Sequence, residues 1–415
     1  MVLPSVIVLA AISFPMLASS VLAEWGPAMS LSGGGAVGSP GGTHPIVAKG
    51  NTVHAVWWAK GNIYYRWSTD AGVTWTDAAA SVTSGTASYP CSLELSDSAL
   101  YLIWPDSRDG GKLGGNLGEI YLKRSTDGGK TWGPEMRVAP DMRFFRFGTT
   151  LDGNSIHVAW NEQGDPIPNL ANYRWYKGTI YYKVSADGGA TWGPNVQLTA
   201  KGDFDHGRPA IAASGKYVHT VWIDGRDAVK EMPWDQDIYY SRSTDGGATW
   251  GENVRMNNDP GDRGWHPQIV AVPGGQVCLI YEMGLRFDLT TKTWSGDSAL
   301  YVRLSRDNGA TWDKAKRITF VNAPNGRATH SKAYVSGSRI HLVWTDASGT
   351  DPAQKASSAY YITSPDGGLT WGEAQRLTSA ADGEAGGSGV AGTESYAVVL
   401  INRGETIYYR RCDLK

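Results

Sequence analysis

The chain has 415 residues, a formal net charge of −2 and three cysteines, Cys91, Cys278 and Cys412. That charge gives no electrostatic case for nucleic acid, and three cysteines make neither a disulfide framework nor a zinc spacing. Eighteen tryptophans and 52 glycines exceed ordinary usage and call for a specific explanation.

Residues 5–22 form an apolar run that ends Val21-Leu22-Ala23. It reads as a secretory signal peptide over 1–23, cleaved after Ala23, although no Lys or Arg precedes it; a retained anchor is the alternative. The expected location is secreted or periplasmic, with no membrane span in the mature chain. Residues 24–415 are then one domain, because repeats of one period build one ring.

The period comes from a phrase that occurs six times, beginning at Ser68, Ser125, Ser185, Ser243, Ser305 and Ser364, at intervals of 57 to 62 residues. Ser185-Ala-Asp-Gly-Gly-Ala-Thr-Trp192 is representative. The Ser and Asp side chains can bond backbone N–H groups inside a tight turn, Gly accepts a left-handed backbone, and Trp covers the turn. Ahead of each phrase come a short apolar strand (Pro209-Ala-Ile-Ala), a strand ending in an aromatic (Val218-His-Thr-Val-Trp222) and a Tyr-rich strand (Ile238-Tyr-Tyr); a fourth strand follows. The last three strands, over 388–411, have no seventh phrase after them, and Trp25-Gly-Pro resembles the Trp132-Gly-Pro and Trp192-Gly-Pro that follow the phrase elsewhere. The expected fold is all-β: a seven-bladed propeller of four-stranded blades, closed by the N-terminal strand completing the last blade.

Ser-x-Asp-x-Gly-x-Thr-Trp resembles the Asp-box, or BNR repeat, of the sialidase-like propeller superfamily. The resemblance spans nearly the whole mature chain but is carried by turns that hold no catalytic group, so it implies the fold and not the reaction.

Chemistry is expected on the face opposite those turns, where the loops between second and third strands vary in length. Short loops in blades one and seven beside long ones in blades two to six predict a groove open at blades seven and one. Four tryptophans on that face, Trp175, Trp234, Trp265 and Trp294, lie outside the repeat. They suit either stacking on sugar rings or packing under their own loops. His54, His157, His219 and His341 share one position in the second strand and read as structural. His44, His266 and His330 lie at the start of first strands, with Tyr89, Arg208 and, nearby, Arg146, Arg263 and Arg327; together they predict a ring around the channel mouth. Among the loop-base carboxylates, Asp106 and Asp224 read as loop caps paired with Arg108 and Arg226. Glu162 and Glu282 read as better catalytic candidates.

Such a mouth suits an anionic oligo- or polysaccharide, because Arg binds a carboxylate bidentately. Tyr89, Glu162, His266, Glu282 and His330 are the expected catalytic residues; His44, Arg146, Arg208, Arg263, Arg327, Trp175, Trp234 and Trp265 the expected substrate contacts. The superfamily resemblance implies sialidase-like glycoside hydrolysis, in which a Tyr assisted by a Glu attacks the anomeric carbon. Phe145-Arg146-Phe147-Gly148 departs from that family's Phe/Tyr-Arg-Ile-Pro, and Ile280-Tyr281-Glu282 lies outside the blade where the family's Leu-Tyr-Glu belongs. Two alternatives stay open: a polysaccharide lyase that cleaves a uronate polymer through His and Tyr, and a non-catalytic glycan- or protein-binding propeller. No cofactor is expected, a structural calcium is left open, and a metal held by His44, His266 and His330 is disfavoured because those residues belong to different blades. The chain is expected to be a monomer.

Overall fold

In the computed structural model the described residues are 24–33, 44–76, 80–83, 85–87, 91–108, 118–166, 176–201, 206–228, 236–257, 264–284, 286–288, 290–291, 293–319, 327–346, 357–379 and 382–414. The proposed signal peptide, Tyr89, Trp175, Trp234 and Arg263 lie outside them. The chain forms a seven-bladed propeller of antiparallel strands. Blade one comprises Ile46–Lys49, Thr52–Ala59, Asn62–Ser68 and Ala80–Ser81, and blades four, five and six repeat that order. In the seventh, Ala385–Gly392, Tyr396–Arg403 and Thr406–Asp413 are joined by Met29–Ser30, with Met29 opposite Tyr409, and Trp25 bridges Cys412. Arg410 anchors the incoming segment by donating to the carbonyls of Trp25 (2.9 Å) and Gly26 (2.7 Å). Among the described residues no helix is long and apolar enough to cross a membrane.

One feature departs from seven separate sheets. Met136–Asp152 stays extended from the outer edge of blade two into the innermost strand of blade three, which merges these blades into a seven-stranded sheet. Its pairing with Gly118–Ser125 is irregular at Gly118 and Ile120, where the strand turns the corner.

The six repeated turns share one bonding pattern. In the turn at Ser185, Ser185 Oγ accepts from Gly189 N–H (2.8 Å) and donates to Asp187 Oδ1 (2.8 Å). Asp187 accepts in addition from the Thr191 N–H (2.8 Å) and hydroxyl (2.6 Å). Those Thr and Ser donors hold the Asp187 carboxyl down at about 2. The second glycine of the turn admits a tyrosine from the preceding blade: Tyr182 donates to Gly246 C=O (3.2 Å), Tyr65 to Gly128 C=O (3.3 Å) and Tyr240 to Gly309 C=O (3.4 Å).

The same tyrosines explain the repeated histidines. His54, His157 and His219 place Nδ1 2.7, 2.7 and 2.8 Å from Tyr65, Tyr182 and Tyr240 Oη, and His341 lies 2.9 Å from Tyr361. All four are buried. Burial lowers them to about 4 (His54, His157) and about 3 (His219, His341). In the unfolded chain they titrate near the ordinary value, so below roughly pH 6.5 the unfolded state binds more protons and stability falls. The denaturant midpoint is therefore expected to hold above pH 7 and to drop between pH 6 and pH 4, at up to about 1.4 kcal/mol per pH unit for each histidine. A midpoint independent of pH over that window contradicts neutral buried imidazoles.

Within the blades, second-strand aromatics stack on third-strand tyrosines, as in Trp160–Tyr181 (5.8 Å between centroids) and Trp344–Tyr360 (5.5 Å). The three cysteines are buried and unpaired, and serve as apolar filling.

Candidate active site

Blades four, five and six begin alike. In each first strand two residues oppose one on the second: Arg208-Pro209 face Trp222, His266-Pro267 face Tyr281, and His330-Ser331 face Trp344. The first residue of each bulge has a left-handed backbone, with φ of 51° at Arg208, 45° at His266 and 56° at His330. A left-handed non-glycine residue costs about 1 kcal/mol or more, and such bulges re-aim side chains. Three equivalent bulges thus turn Arg208, His266 and His330 out of strand alternation.

They converge. The rings of His266 and His330 lie 4.3 Å apart, tilted by 38°. The Arg208 guanidinium lies 5.6 Å from the centre of the Trp265 ring, itself 5.8 Å from His266. Beneath them is the buried Glu282 carboxylate, 5% exposed. Its Oε1 accepts from His330 N–H at 2.6 Å and its Oε2 from the Thr329 hydroxyl at 3.0 Å. His266 Nδ1 is 2.7 Å from Glu282 Oε1, yet neither nitrogen of His266 has an aligned hydrogen-bond partner among the described residues; the pair is a close contact and not a directed bond.

Thr329 Oγ1 also lies 3.1 Å from His330 Nδ1. Where Glu282 is ionised, above its raised value of about 7, the hydroxyl gives it its one proton and can then only accept from the imidazole. This assigns the proton to Nδ1 and leaves the Nε2 lone pair open on an exposed residue.

Electrostatics tie the cluster together. Burial, followed by the charges of Arg208, Lys332, Arg146 and Arg327, lowers His266 to about 2. His330 is exposed as a residue, but its ring is packed against His266, and this local desolvation, then His266, Arg208 and Lys332, lowers it to about 4 against the pull of Glu282. Burial raises Glu282 to about 7, opposed by its bonds and by Arg208. The mouth therefore gathers Arg146 of blade three, Arg208 of blade four, His266 and Glu282 of blade five, and Arg327, His330 and Lys332 of blade six.

Other expected residues lie elsewhere. His44 Nδ1 contacts Glu94 Oε1 at 2.9 Å, Glu94 takes the Thr149 hydroxyl at 2.5 Å, and His44 N–H donates to Ser92 Oγ at 3.1 Å. His44 thus lines the channel in a separate network, which corrects the single ring drawn above. His44 is thus apart from His266 and His330, and among the described residues no group of three or more His, Cys, Asp or Glu is placed to hold a metal ion. Glu162 bonds Tyr181, which stacks on Trp160 inside blade three. Asp106 and Asp224 cap their loops as expected: Arg108 and Arg226 each donate to them at 2.6 Å, and Trp104 and Trp222 indoles at 3.1 and 2.8 Å. Asp224 also meets His206 Nε2 at 3.2 Å, which makes His206 part of a structural cap. Trp294 pairs with Phe287 in a small hairpin within the long loop of blade five.

Lys332 escaped the sequence reading. Strand alternation counted through the bulge puts it on the wrong face; a signal was available in its place two residues after His330, where blades four and five carry Ala210 and Gln268.

Comparison with known proteins gives the following. No family model matches the chain. A sialidase of Clostridium perfringens is 28% identical over 151 residues, which are 32% of this chain and 40% of that protein. The match thus spans well under half of that relative's length. A solved structure of a polysaccharide lyase described as a new family, an ulvan lyase, superposes with a TM-score of 0.60 at 12% identity, covering 92% of this chain and 95% of that one. A protein of unknown function from Dyadobacter fermentans superposes with a TM-score of 0.52 at 15% identity, covering 80% of this chain and 95% of that one. At these identities the structural likeness establishes the propeller fold.

Proposed function

We propose that this chain is a polysaccharide lyase that cleaves a uronate-containing polymer by β-elimination, with His330 as the base. The observation that carries the reading is an exposed neutral imidazole, with its Nδ1 proton committed to Thr329, set among four cations and one buried carboxylate. Cations hold the uronate carboxylate and offset the charge that develops as the C5 proton leaves. His330 Nε2 takes that proton. The C5–H electron pair becomes the C4–C5 double bond, the C4–O bond breaks, and the imidazolium returns the proton to the departing oxygen. A bound carboxylate offsets the smaller part of the lowering of His330, the part that comes from the charges of Arg208 and Lys332. The whole-chain superposition on a polysaccharide lyase supports this reading. The substrate would be met outside the cytoplasm if residues 1–23 act as the signal peptide expected from their sequence.

Sialidase-like hydrolysis is the second reading. It is favoured by the partial sialidase match and by three arginines bearing on His266. It needs a Tyr–Glu nucleophile beside those arginines, whereas the Tyr181–Glu162 contact belongs to the Trp–Tyr stacking that recurs in other blades.

The test is a panel of uronate polysaccharides followed by the ultraviolet absorbance of the conjugated product, run beside a fluorogenic sialoside. Unsaturated product from a uronate polymer is the expected result. Sialoside turnover without unsaturated product reverses the order of the two readings, and glycan binding without any turnover leaves a binding propeller.

A further inference from the structure

We infer that Glu282, Thr329 and His330 form a reversible proton relay, in which the buried carboxylate stores the proton that the exposed imidazole takes up. The part of the relay in elimination rests on the lyase reading; the relay itself does not.

The three groups are joined by two hydrogen bonds. Glu282 Oε2 is 3.0 Å from Thr329 Oγ1, which is 3.1 Å from His330 Nδ1. The connection crosses from blade five to blade six, from a buried group to an exposed one. Glu282 Oε1 accepts the His330 backbone N–H at 2.6 Å, which pins the bulge carrying Thr329 and His330. A backbone N–H only donates, so Oε1 stays an acceptor. His266 Nδ1 lies 2.7 Å from the same oxygen but out of alignment. A proton added to Glu282 therefore belongs on Oε2, facing the hydroxyl.

A hydroxyl has one proton and can turn to either neighbour. With Glu282 ionised, Thr329 donates to Oε2 and accepts from Nδ1–H, and Nε2 carries a lone pair. With Glu282 protonated, Oε2–H donates to Thr329, Thr329 donates to Nδ1, and the imidazole proton sits on Nε2. Both arrangements use the same heavy atoms and leave neither bond unmade. They differ by one proton and by the direction of each bond, so a proton at Glu282 turns Nε2 from acceptor to donor.

The surroundings decide which end holds that proton. The titratable and charged groups that act on Glu282 are His266 of its own blade, His330 of blade six and Arg208 of blade four. Arg146, Arg327 and Lys332 bear on the neighbouring His266, and the third strand of blade five sets Leu300 opposite Glu282. Burial raises Glu282 to about 7, while His330, its ring 4.3 Å from that of His266, is lowered to about 4. The carboxylate is then the stronger base, the reverse of the ordinary order. In elimination Nε2 takes the C5 proton, the Nδ1 proton passes to Thr329 Oγ1, and the Thr329 proton passes to Glu282 Oε2. The imidazole ends neutral and the carboxylate has become a carboxyl. As Nε2 gives its proton to the departing oxygen, the same transfers run back.

The experiment follows the His330 ring by nitrogen NMR in the full chain labelled at histidine, which distinguishes a protonated ring nitrogen from a bare one. His330→Ala identifies its signals among the eight histidines. As the pH is lowered from about 9 to about 5.5, the proton is expected to move from Nδ1 to Nε2, with a midpoint near 7. The ring should stay neutral throughout, since its own protonation lies near 4. Glu282→Gln and Thr329→Val should each abolish the reversal, and Thr329→Ser should keep it. Circular dichroism and thermal melting confirm that each variant is folded; if Glu282→Gln does not fold, the parent and Thr329→Val decide. One tautomer across the whole range in the parent, a reversal that survives Thr329→Val, or an imidazolium formed near pH 7 overturns the inference. Failure of the two proposals is separable. A reversal in a protein that yields no unsaturated product leaves the relay standing and removes the lyase. Unsaturated product from a protein whose His330 keeps one tautomer through pH 7 does the opposite.

Discussion

Replacing His330 with alanine is expected to lower kcat for uronate elimination by about two to four orders of magnitude, the usual contribution of a positioned acid–base group. The loss should fall on kcat more than on KM, since in the proposed site the cations around the imidazole, and not the imidazole, would hold the polyanion. Thr329→Val should cost less, about tenfold, because it leaves the imidazole in place but releases the Nδ1 proton from its acceptor at 3.1 Å. The pH profile adds a readout that a structural role would not move. In the free protein His330 must be neutral, and it is lowered to about 4, chiefly by burial; Lys332 must be charged, and it is lowered to about 8. Because kcat/KM reports the free enzyme, it should fall through about pH 8 on the basic side, and on the acid side first as Glu282, raised to about 7 by burial, takes up its proton and again through about pH 4. His330→Ala retaining more than a tenth of parental turnover sinks the assignment of the base.

The second large effect concerns stability. Gly246 and Gly247, neighbours in one turn, both have a left-handed backbone, with φ of 74° and 94°. A Cβ on Gly246 meets nothing within 4 Å, so Gly246→Ala should cost about 1 kcal/mol for the backbone alone. A Cβ on Gly247 would overlap the Tyr182 hydroxyl. That hydroxyl is the partner of His157 at 2.7 Å and donates to Gly246 C=O at 3.2 Å. Gly247→Ala therefore adds the loss of one buried and one part-buried hydrogen bond and a displaced ring to the backbone cost, about 3 kcal/mol or more in all. Urea midpoints of the two variants measure the difference directly. If they coincide, the tyrosine seated in the next blade's turn is not what couples the blades.

The interblade coupling also marks where sequence reading succeeds. The turn at Ser185 is closed by side chains within six residues of one another, so its phrase reads the same in one dimension as in three. The four second-strand histidines were legible as structural because they recur with the repeat, as does the tyrosine that each one bonds. Trp25 was legible because it copies the segment after each turn. By contrast, the channel ring was read as one circle of equivalent positions, and the structure divides it. His44 is drawn to Glu94 and Thr149 in blades two and three, while His266 and His330 are brought ring to ring. Nothing local to His44 announces that Glu94 will reach it. Glu282 was singled out because it broke the Asp pattern by one position. That shift puts it on the opposite face of its strand, toward Thr329 and His330 of the next blade.

The amino-acid sequence by itself determined the number of blades and the face that carries the repeated turns, because turn chemistry closed within a few residues recurs at one period along the chain. Tertiary structure decided which cations and imidazoles meet. Arg146, Arg208, His266, His330 and Lys332 come from four blades and are aimed by bulges in three of them. A bulge changes the direction of a side chain without changing its place in the repeat, so the alternation that made the strands readable could not show which residues share the mouth.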